Sequence, residues 1–124
     1  AMTDVTGFGL LGHGLELARG AKLKMRLELD RIPLLPGVLE LAAQGMVTGA
    51  SGRNWDSYGA QVSLPAGISP AHQALLSDPQ TSGGLLVACA PEAADAVLAC
   101  FKSHGFHAAC QIGEMAEGSG IEVR

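Results

Sequence analysis

The chain has 124 residues, of which 48% are hydrophobic and 16% charged, and its net charge is −4 at neutral pH. This length and composition predict one folded domain and argue against disorder. The acidic balance, without any run of Lys or Arg, argues against a nucleic-acid or anionic-membrane partner, and no apolar stretch approaches the ~20 residues that span a bilayer.

The first predicted elements are a helix and a strand. Thr6 can cap a helix over about residues 7–19, which carries one apolar stripe and ends at Gly20. Residues 22–29 then alternate between polar and apolar side chains, so they predict a strand with one buried face. We expect the basic side chains on its other face, such as Lys24, to be solvated and not bound to phosphate.

Proline and glycine residues divide the middle of the chain. A short helix is predicted over about residues 37–44, closed by a glycine. Residues 45–59 contain several glycines and the only Trp, and they predict a loop. Ser69 is followed by a proline, a pairing typical of a helix start, and this helix is predicted to run to about Leu76.

The last third of the chain predicts a strand–helix–strand unit and a final strand. Residues 85–90 form a short apolar run typical of an interior strand, and residues 91–103 predict a helix. Residues 106–112 and 121–123 predict two further strands. The fold class is therefore α/β (α+β), with a mixed β-sheet covered by helices, in a single domain that includes residues 1–124.

The cysteines do not indicate a site. There are three, Cys89, Cys100 and Cys110, spaced ten or eleven positions apart. An odd number at this spacing fits neither a disulfide framework nor a CxxC metal site. We expect small buried thiols in a reducing, cytoplasmic protein.

Residues 7–12, Gly-Phe-Gly-Leu-Leu-Gly, satisfy the GxGxxG pattern of dinucleotide-binding domains. They open a predicted helix, and a predicted strand ends about 20 residues later, as that pattern requires. The pattern also needs a buried parallel strand just before the first glycine, where only six residues, with two Thr and one Asp, are available. A dinucleotide-binding, Rossmann-like oxidoreductase domain is therefore kept as the alternative and not preferred.

The same glycines suit a phosphate site. Thr6, Gly7 and Gly9 at a helix start would present N–H groups to an anion, and the glycines would admit a close ligand. Asp4 lies beside them, and a carboxylate near phosphates usually holds a divalent cation such as Mg²⁺. Asp4 could equally cap the helix while the glycines serve close packing. The residues alone leave both interpretations open.

A second dense segment, residues 77–84, reads Ser-Asp-Pro-Gln-Thr-Ser-Gly-Gly. It can offer backbone donors and side-chain oxygens to a phosphate or a metal, although Pro and Gly-Gly are also ordinary turn residues. Its candidate site residues are Asp78, Thr81, Ser82, Gly83 and Gly84.

Residues 3–13, Thr-Asp-Val-Thr-Gly-Phe-Gly-Leu-Leu-Gly-His, and the segment 77–86, which continues with Leu-Leu, closely resemble the selenophosphate synthetase (selenide, water dikinase) family. That family belongs to the aminoimidazole ribonucleotide synthetase superfamily. The corresponding segment of aminoimidazole ribonucleotide synthetase reads Thr-Gly-Gly-Gly, and its middle glycine is replaced here by Phe8, as it is in the selenium branch. The resemblance covers the whole chain but only about the last third of a typical member, which implies a C-terminal domain of the superfamily's type.

The resemblance also implies a function. The full enzyme would convert ATP, selenide and water to selenophosphate, AMP and orthophosphate. Asp4 would be a ligand of the Mg²⁺ at the ATP phosphates, together with aspartates of the enzyme's own N-terminal domain. That domain would also carry the nucleophilic Cys or selenocysteine and the lysine, so this chain would hold no catalytic residue and be inactive alone. The full enzyme would be a homodimer.

Two further residues are interpreted without chemistry. His13 is expected to be packed or hydrogen-bonded and not to act as a base, and Trp55 is expected to be a core or domain-interface anchor. A non-catalytic scaffold domain stays as a second alternative.

Overall fold

A computed structural model describes all residues of the chain, Ala1–Arg124. It contains five α-helices and six β-strands, so the predicted α/β class is confirmed. The helices are α1 Gly9–Ala21, α2 Val38–Ala43, α3 Gly49–Tyr58, α4 Pro70–Leu76 and α5 Ala94–Ser103. The strands are β1 Met2–Asp4, β2 Lys24–Leu27, β3 Val62–Ser63, β4 Leu85–Val87, β5 Gly113–Ala116 and β6 Ile121–Val123. None of the helices is long and apolar enough to cross a bilayer.

The strands form two separate sheets. The larger is mixed and has the order β3-β6-β2-β5, in which β6 runs parallel to β3 and β2 while β5 runs antiparallel to β2. The smaller is an antiparallel ribbon of β1 and β4. The sequence predicted one mixed sheet and missed this ribbon. The two motif segments, residues 3–13 and 77–86, meet at its end.

Helix α1 joins the two sheets through its apolar stripe. Leu11, Leu15 and Ala18 recur at a spacing of three to four residues, as a helix with one buried face requires, and all three are buried. The helix contacts β1 of the ribbon and both β2 and β6 of the larger sheet. Gly14 allows this approach, because a Cβ atom there would lie 2.9 Å from the Met25 sulfur. The core is therefore centred on α1.

The predicted bounds and start of α1 need correction. Thr6 does not cap the helix, which begins at Gly9 after Phe8 without any side-chain cap. The helix also continues past Gly20 to Ala21, and the capping residue that follows, Lys22, adopts a left-handed conformation with φ of 57°. The Thr6 hydroxyl instead forms a hydrogen bond with the His13 ring.

The prediction of a loop over residues 45–59 is wrong, because most of this segment is helix α3. Thr48 caps it by accepting a hydrogen bond from the Ser51 backbone N–H at 3.2 Å. Ser51 and Tyr58 lie on the inward face of this helix and are buried. Tertiary contacts along one helical face thus override the low helix propensity of its glycines.

The predicted strand–helix–strand unit is also wrong. Strand β4 ends at Val87 and pairs with β1, and its Leu85 is exposed, so it is not an interior strand. Residues 106–112 form no strand, and the chain pairs only from Gly113 onward, where it meets β2. The expectation of buried thiols fails as well, since all three cysteines are free and exposed.

The polar face of β2 is covered by ion pairs. The Lys24 amine lies 3.5 Å from a Glu122 carboxylate oxygen, and the Arg26 guanidinium lies 3.3 Å from Glu114. A hydrogen bond from Arg124 is the main cause that lowers the pKa of Glu122. The basic residues of this face are therefore neutralised by neighbouring carboxylates within the sheet.

The two faces of β2 give the first testable prediction. Leu27 is 1% exposed, so Leu27→Ala should lower the free energy of unfolding by about 2–5 kcal/mol through the cavity it leaves. Lys24→Ala removes one partly exposed ion pair and should cost about 0.5 kcal/mol or less. Denaturant unfolding of both variants measures the difference, and equal losses would contradict this orientation of the strand.

Candidate functional site

The two motif segments meet at the end of the ribbon. Asp4 is paired in register with Leu85, and the Val5 N–H donates to the Gly84 carbonyl at 2.9 Å. The Gln80 N–H then donates to the Thr6 carbonyl at 3.0 Å. Backbone hydrogen bonds thus hold both segments in one surface, although more than seventy positions separate them in the sequence.

Close contact between backbone atoms requires glycine at two positions of these segments. A Cβ atom at Gly83 would lie 1.9 Å from the Val5 carbonyl oxygen, and one at Gly9 would lie 2.7 Å from the Ser77 carbonyl carbon. Gly9 also has a φ of +71°, which side chains with a Cβ atom rarely adopt. These two residues therefore pack one segment against the other.

The other two glycines are open to solvent. Gly7 and Gly84 are exposed, and a Cβ atom at either would meet nothing within 4 Å. Their backbone can be approached from outside, as a bound ligand would require. The four candidate glycines thus divide into a packing pair and an accessible pair.

Helix α3 fixes both segments through Asn54, which the sequence did not identify as part of a site. Its amide nitrogen donates to the Gly7 carbonyl at 2.9 Å and to the Ser77 carbonyl at 3.0 Å. The Tyr58 hydroxyl donates to the Phe8 carbonyl at 2.7 Å. A spacing of three and four residues separates Ser51, Asn54 and Tyr58. This periodicity of polar side chains could have indicated a helix with one polar face turned to the site.

A buried pair of serines anchors α3 to the start of the second segment. The Ser51 hydroxyl donates to the Ala74 carbonyl at 2.6 Å and lies 2.9 Å from the Ser77 hydroxyl. Both serines are 1% exposed, so these hydrogen bonds satisfy polar groups that water cannot reach. The position at which residues 77–84 leave α4 is therefore set by α3.

The candidate polar side chains differ in their surroundings. Asp4 is exposed at the end of β1. Asp78 is partly buried, and its carboxylate accepts hydrogen bonds from the Thr48 hydroxyl and the Gln80 amide, both at 3.3 Å. Thr81 and Ser82 are exposed. The Asp78 carboxylate thus stabilises the conformation of the loop, whereas the other three side chains are exposed to solvent.

Thr6 and His13 form a hydrogen-bonded chain with Glu16. The Thr6 hydroxyl oxygen lies 3.1 Å from Nε2 of His13, and Nδ1 of the same ring lies 3.2 Å from a Glu16 carboxylate oxygen. His13 is 7% exposed, and the Phe8 ring packs against it with a centroid separation of 5.8 Å. His13 is therefore a packed and hydrogen-bonded histidine.

The surroundings of Asp4 are compatible with one ligand of a Mg²⁺ ion. No group of three or more His, Cys, Asp or Glu side chains lies close enough together to hold a metal ion. Protein Mg²⁺ sites often use one or two carboxylates together with substrate phosphates and water. An exposed carboxylate beside the accessible Gly7 backbone matches that kind of partial ligand set.

The dinucleotide-binding alternative is not supported by this geometry. The strand before the GxGxxG pattern is β1, which lies in an antiparallel ribbon, and the next strand, β2, belongs to the other sheet. A dinucleotide-binding unit needs these two strands side by side and parallel.

Comparison with known proteins identifies the family. The profile of "AIR synthase related protein, C-terminal domain" matches residues 1–124, and the chain belongs to this family. Curated relatives named "Selenide, water dikinase" confirm the resemblance to that enzyme. The protein of Burkholderia orbicola is 64% identical over 118 residues, which are 95% of this chain and 33% of the relative. That of Paraburkholderia xenovorans is 59% identical over 124 residues, 99% of this chain and 35% of the relative.

A solved structure shows the same fold. The chain matches a thiamine-monophosphate kinase from Stenotrophomonas maltophilia with a TM-score of 0.55 and 18% identity, over 99% of this chain and 30% of that one. The chain spans about a third of the length of the curated relatives it matches.

Tyr58 gives a prediction that reports on the packing of the site. Burial raises the pKa of its hydroxyl from 10.0 to about 12. Because the pKa of Tyr58 is higher in the folded chain than in the unfolded chain, its neutral hydroxyl contributes to the free energy of unfolding. This contribution is complete below pH 10 and is lost as the pH rises towards 12. Tyr58 is the only tyrosine, so the absorbance of tyrosinate follows this residue alone.

We expect tyrosinate to appear near pH 12 in the folded chain, and near pH 10 in chain unfolded by denaturant. Tyr58→Phe should remove the tyrosinate signal and the matching alkaline loss of stability. Ionisation near pH 10 in the folded chain would mean that the hydroxyl is not buried against Phe8.

Proposed function

We propose that this chain is the single, C-terminal domain of a selenide, water dikinase and lines its ATP site. The observation that carries the proposal is the identity of 52–64% to enzymes of that name over nearly the whole chain. It is supported by the joining of the two motif segments into one surface. In the full-length enzyme, ATP, selenide and water would give selenophosphate, AMP and orthophosphate.

Asp4 would hold Mg²⁺ at the triphosphate. The ion would neutralise charge on the phosphates, which is a main requirement of phosphoryl transfer. Asp4 is exposed at the end of a paired strand, and the pairing of β1 with β4 together with the hydrogen bond from the Val5 N–H to the Gly84 carbonyl restricts its backbone. Its carboxylate can therefore be presented at a defined position without rearrangement of the domain.

The remaining candidate residues would line the phosphate site in two ways. The accessible backbone of Gly7 and Gly84 and the hydroxyls of Thr81 and Ser82 would face the nucleotide. The others shape that surface from behind, by packing or by hydrogen bonds within it: Thr6, Gly9, Asp78 and Gly83.

The rest of the enzyme would come from outside this chain. The relatives are about three times as long as the matched region, so an N-terminal domain would be the main partner of this one. It would supply the nucleophilic Cys or selenocysteine, the lysine and further metal ligands, and the full enzyme would be a cytoplasmic homodimer. The exposed positions of Cys89, Cys100 and Cys110 on other parts of the fold are consistent with a nucleophile elsewhere.

The chain alone should therefore be inactive. Purified protein with ATP, Mg²⁺ and selenide is expected to form no AMP above the background without protein, because the nucleophile and most ligands are missing. The full-length parent, assayed under the same anaerobic conditions, provides the positive control. Selenide-dependent AMP formation by this chain would show that it is more than part of a site.

Asp4→Asn in the full-length parent tests the metal assignment. Asparagine has the same shape but lacks the negative charge, so turnover should fall by at least about a hundredfold, as when a strong electrostatic contact is lost. Raising Mg²⁺ should restore only part of the activity, because the position of the ion matters as well as its occupancy. AMP and selenophosphate formation are measured across a Mg²⁺ titration.

The matched control is Asp95→Asn, which removes an exposed carboxylate from the first turn of α5. This variant should keep the activity and the Mg²⁺ dependence of the parent. If Asp4→Asn behaves like the control, Asp4 is not a metal ligand. The unfolding midpoint of each variant separates loss of chemistry from loss of fold.

A further inference from the structure

The two faces of the β1–β4 ribbon differ in what covers them. Paired side chains of antiparallel strands lie on the same face, and successive side chains alternate between the faces. The register therefore puts four side chains on one face, which we call the outer face: Met2, Asp4, Leu85 and Val87. Thr3 and Leu86 lie on the other face, where Leu86 is 8% exposed and belongs to the core.

The outer face is mostly apolar and open to solvent. Met2 is 64% exposed and Leu85 is 52% exposed, so no element of the chain covers these two side chains. Asp4 is the only charged residue on this face. Neighbouring large apolar side chains that remain exposed mark a surface of interaction.

The pairing of the ribbon continues without a break to the first residue. The Ala1 amine donates to the Ala88 carbonyl at 2.7 Å, and the Ala88 N–H donates to the Ala1 carbonyl at 2.9 Å. Such doubly bonded pairs recur every two residues in an antiparallel ladder. The next one would therefore join Ala90 to the second residue before Ala1.

The backbone at Ala90 is suited to this additional pair. Ala90 is exposed and extended, with φ of −62° and ψ of 146°, and its N–H makes no hydrogen bond within the chain. Pro91 begins a 3₁₀ helix and has no N–H to donate. The ladder can thus extend along Cys89 and Ala90 and must end there.

We propose that the outer face of the ribbon is the docking surface for the N-terminal domain of the same polypeptide, and that the two residues before Ala1 extend β1 to form an ordered connection between the domains. The relatives are about three times as long as the matched region, so most of such a protein lies outside these residues. A preceding domain that is joined through a paired strand has little free chain and must fold beside the ribbon, where the outer face is uncovered. The inference rests on the proposed function for the existence of that domain.

The methionines provide the first experiment. Met2 and Met46 are both 64% exposed, whereas Met25 is 4% exposed. Oxidation by hydrogen peroxide depends on access to the sulfur, and mass spectrometry of peptides measures its rate at each position. In the 124-residue chain, Met2 and Met46 should oxidise at similar rates and Met25 far more slowly. In the full-length parent, the rate at Met2 should fall towards that of Met25.

Two results of this experiment would overturn the docking surface. One is a rate at Met2 that is the same in the parent as in the chain. The other is protection of Met2 that appears in the chain alone as its concentration rises, which would assign the outer face to a second copy of this domain.

A substitution on the outer face tests the same surface. In the parent, Leu85→Glu should restore the oxidation of Met2, because docking would bury the new carboxylate. In the chain alone the position is half exposed, so the unfolding midpoint should change little. Leu41→Glu, at a 45% exposed position of α2, is the matched control and should leave Met2 protected. Protection of Met2 in both variants would contradict the proposal.

Amide hydrogen exchange tests the ordered connection. The Ala90 N–H should exchange rapidly in the chain and at least about tenfold more slowly in the parent, where it would donate to the extended β1. The N–H of the adjacent Cys89 faces the opposite edge and should exchange equally in both proteins. Slowing at both residues, or at neither, would refute the extension of the strand.

The outcomes separate this inference from the proposed function, because neither oxidation nor amide exchange depends on catalysis. A parent that makes selenophosphate while Met2 stays reactive would refute the docking surface and leave the dikinase assignment intact. A parent that protects Met2 but makes no selenophosphate would support the docking surface and refute the dikinase assignment.

Discussion

The close contact between the Val5 carbonyl and Gly83 is the constraint on which the arrangement of the site depends. No side chain can be accommodated at position 83, since its Cβ atom would overlap the carbonyl oxygen. The contact brings the second motif segment to the end of β1, next to the exposed Asp4. Together with the backbone hydrogen bonds from Val5 to Gly84 and from Gln80 to Thr6, it folds the loop over the end of the ribbon, so that the two motifs form one surface.

Helix α3 makes this contact a fixed feature. Asn54 alone bonds to a carbonyl of each segment, and the Ser51–Ser77 pair holds the helix to the point where the second segment begins. The carbonyls concerned are in irregular backbone, which has no strand or helix partner of its own, so side chains must satisfy them. Helix α3 contributes no candidate site residue itself, but it therefore defines the shape of the surface that a bound ligand would contact.

The sequence predicts those features whose signals are local. Alternation identified β2 and its buried Leu27, Ser69 marked the start of α4, and the two motif segments were recognised from their residues alone. Helix α3 was missed because its glycines suggest a loop, and what stabilises it is contact with segments distant in sequence. Strand β5 was misplaced for the same reason: Gly113 is a poor strand residue and pairs only because the Arg26 backbone lies against it.

The position of β6 in the larger sheet has a consequence for how the protein is made. This strand lies between β3 and β2, and its Ile121 and Val123 are buried in the core. On a ribosome that adds roughly 5–20 residues per second, β2 is complete several seconds before its parallel neighbour emerges. During that interval one edge of β2 lacks its parallel partner, while α1, which precedes β2 in the chain, is already available to pack against it.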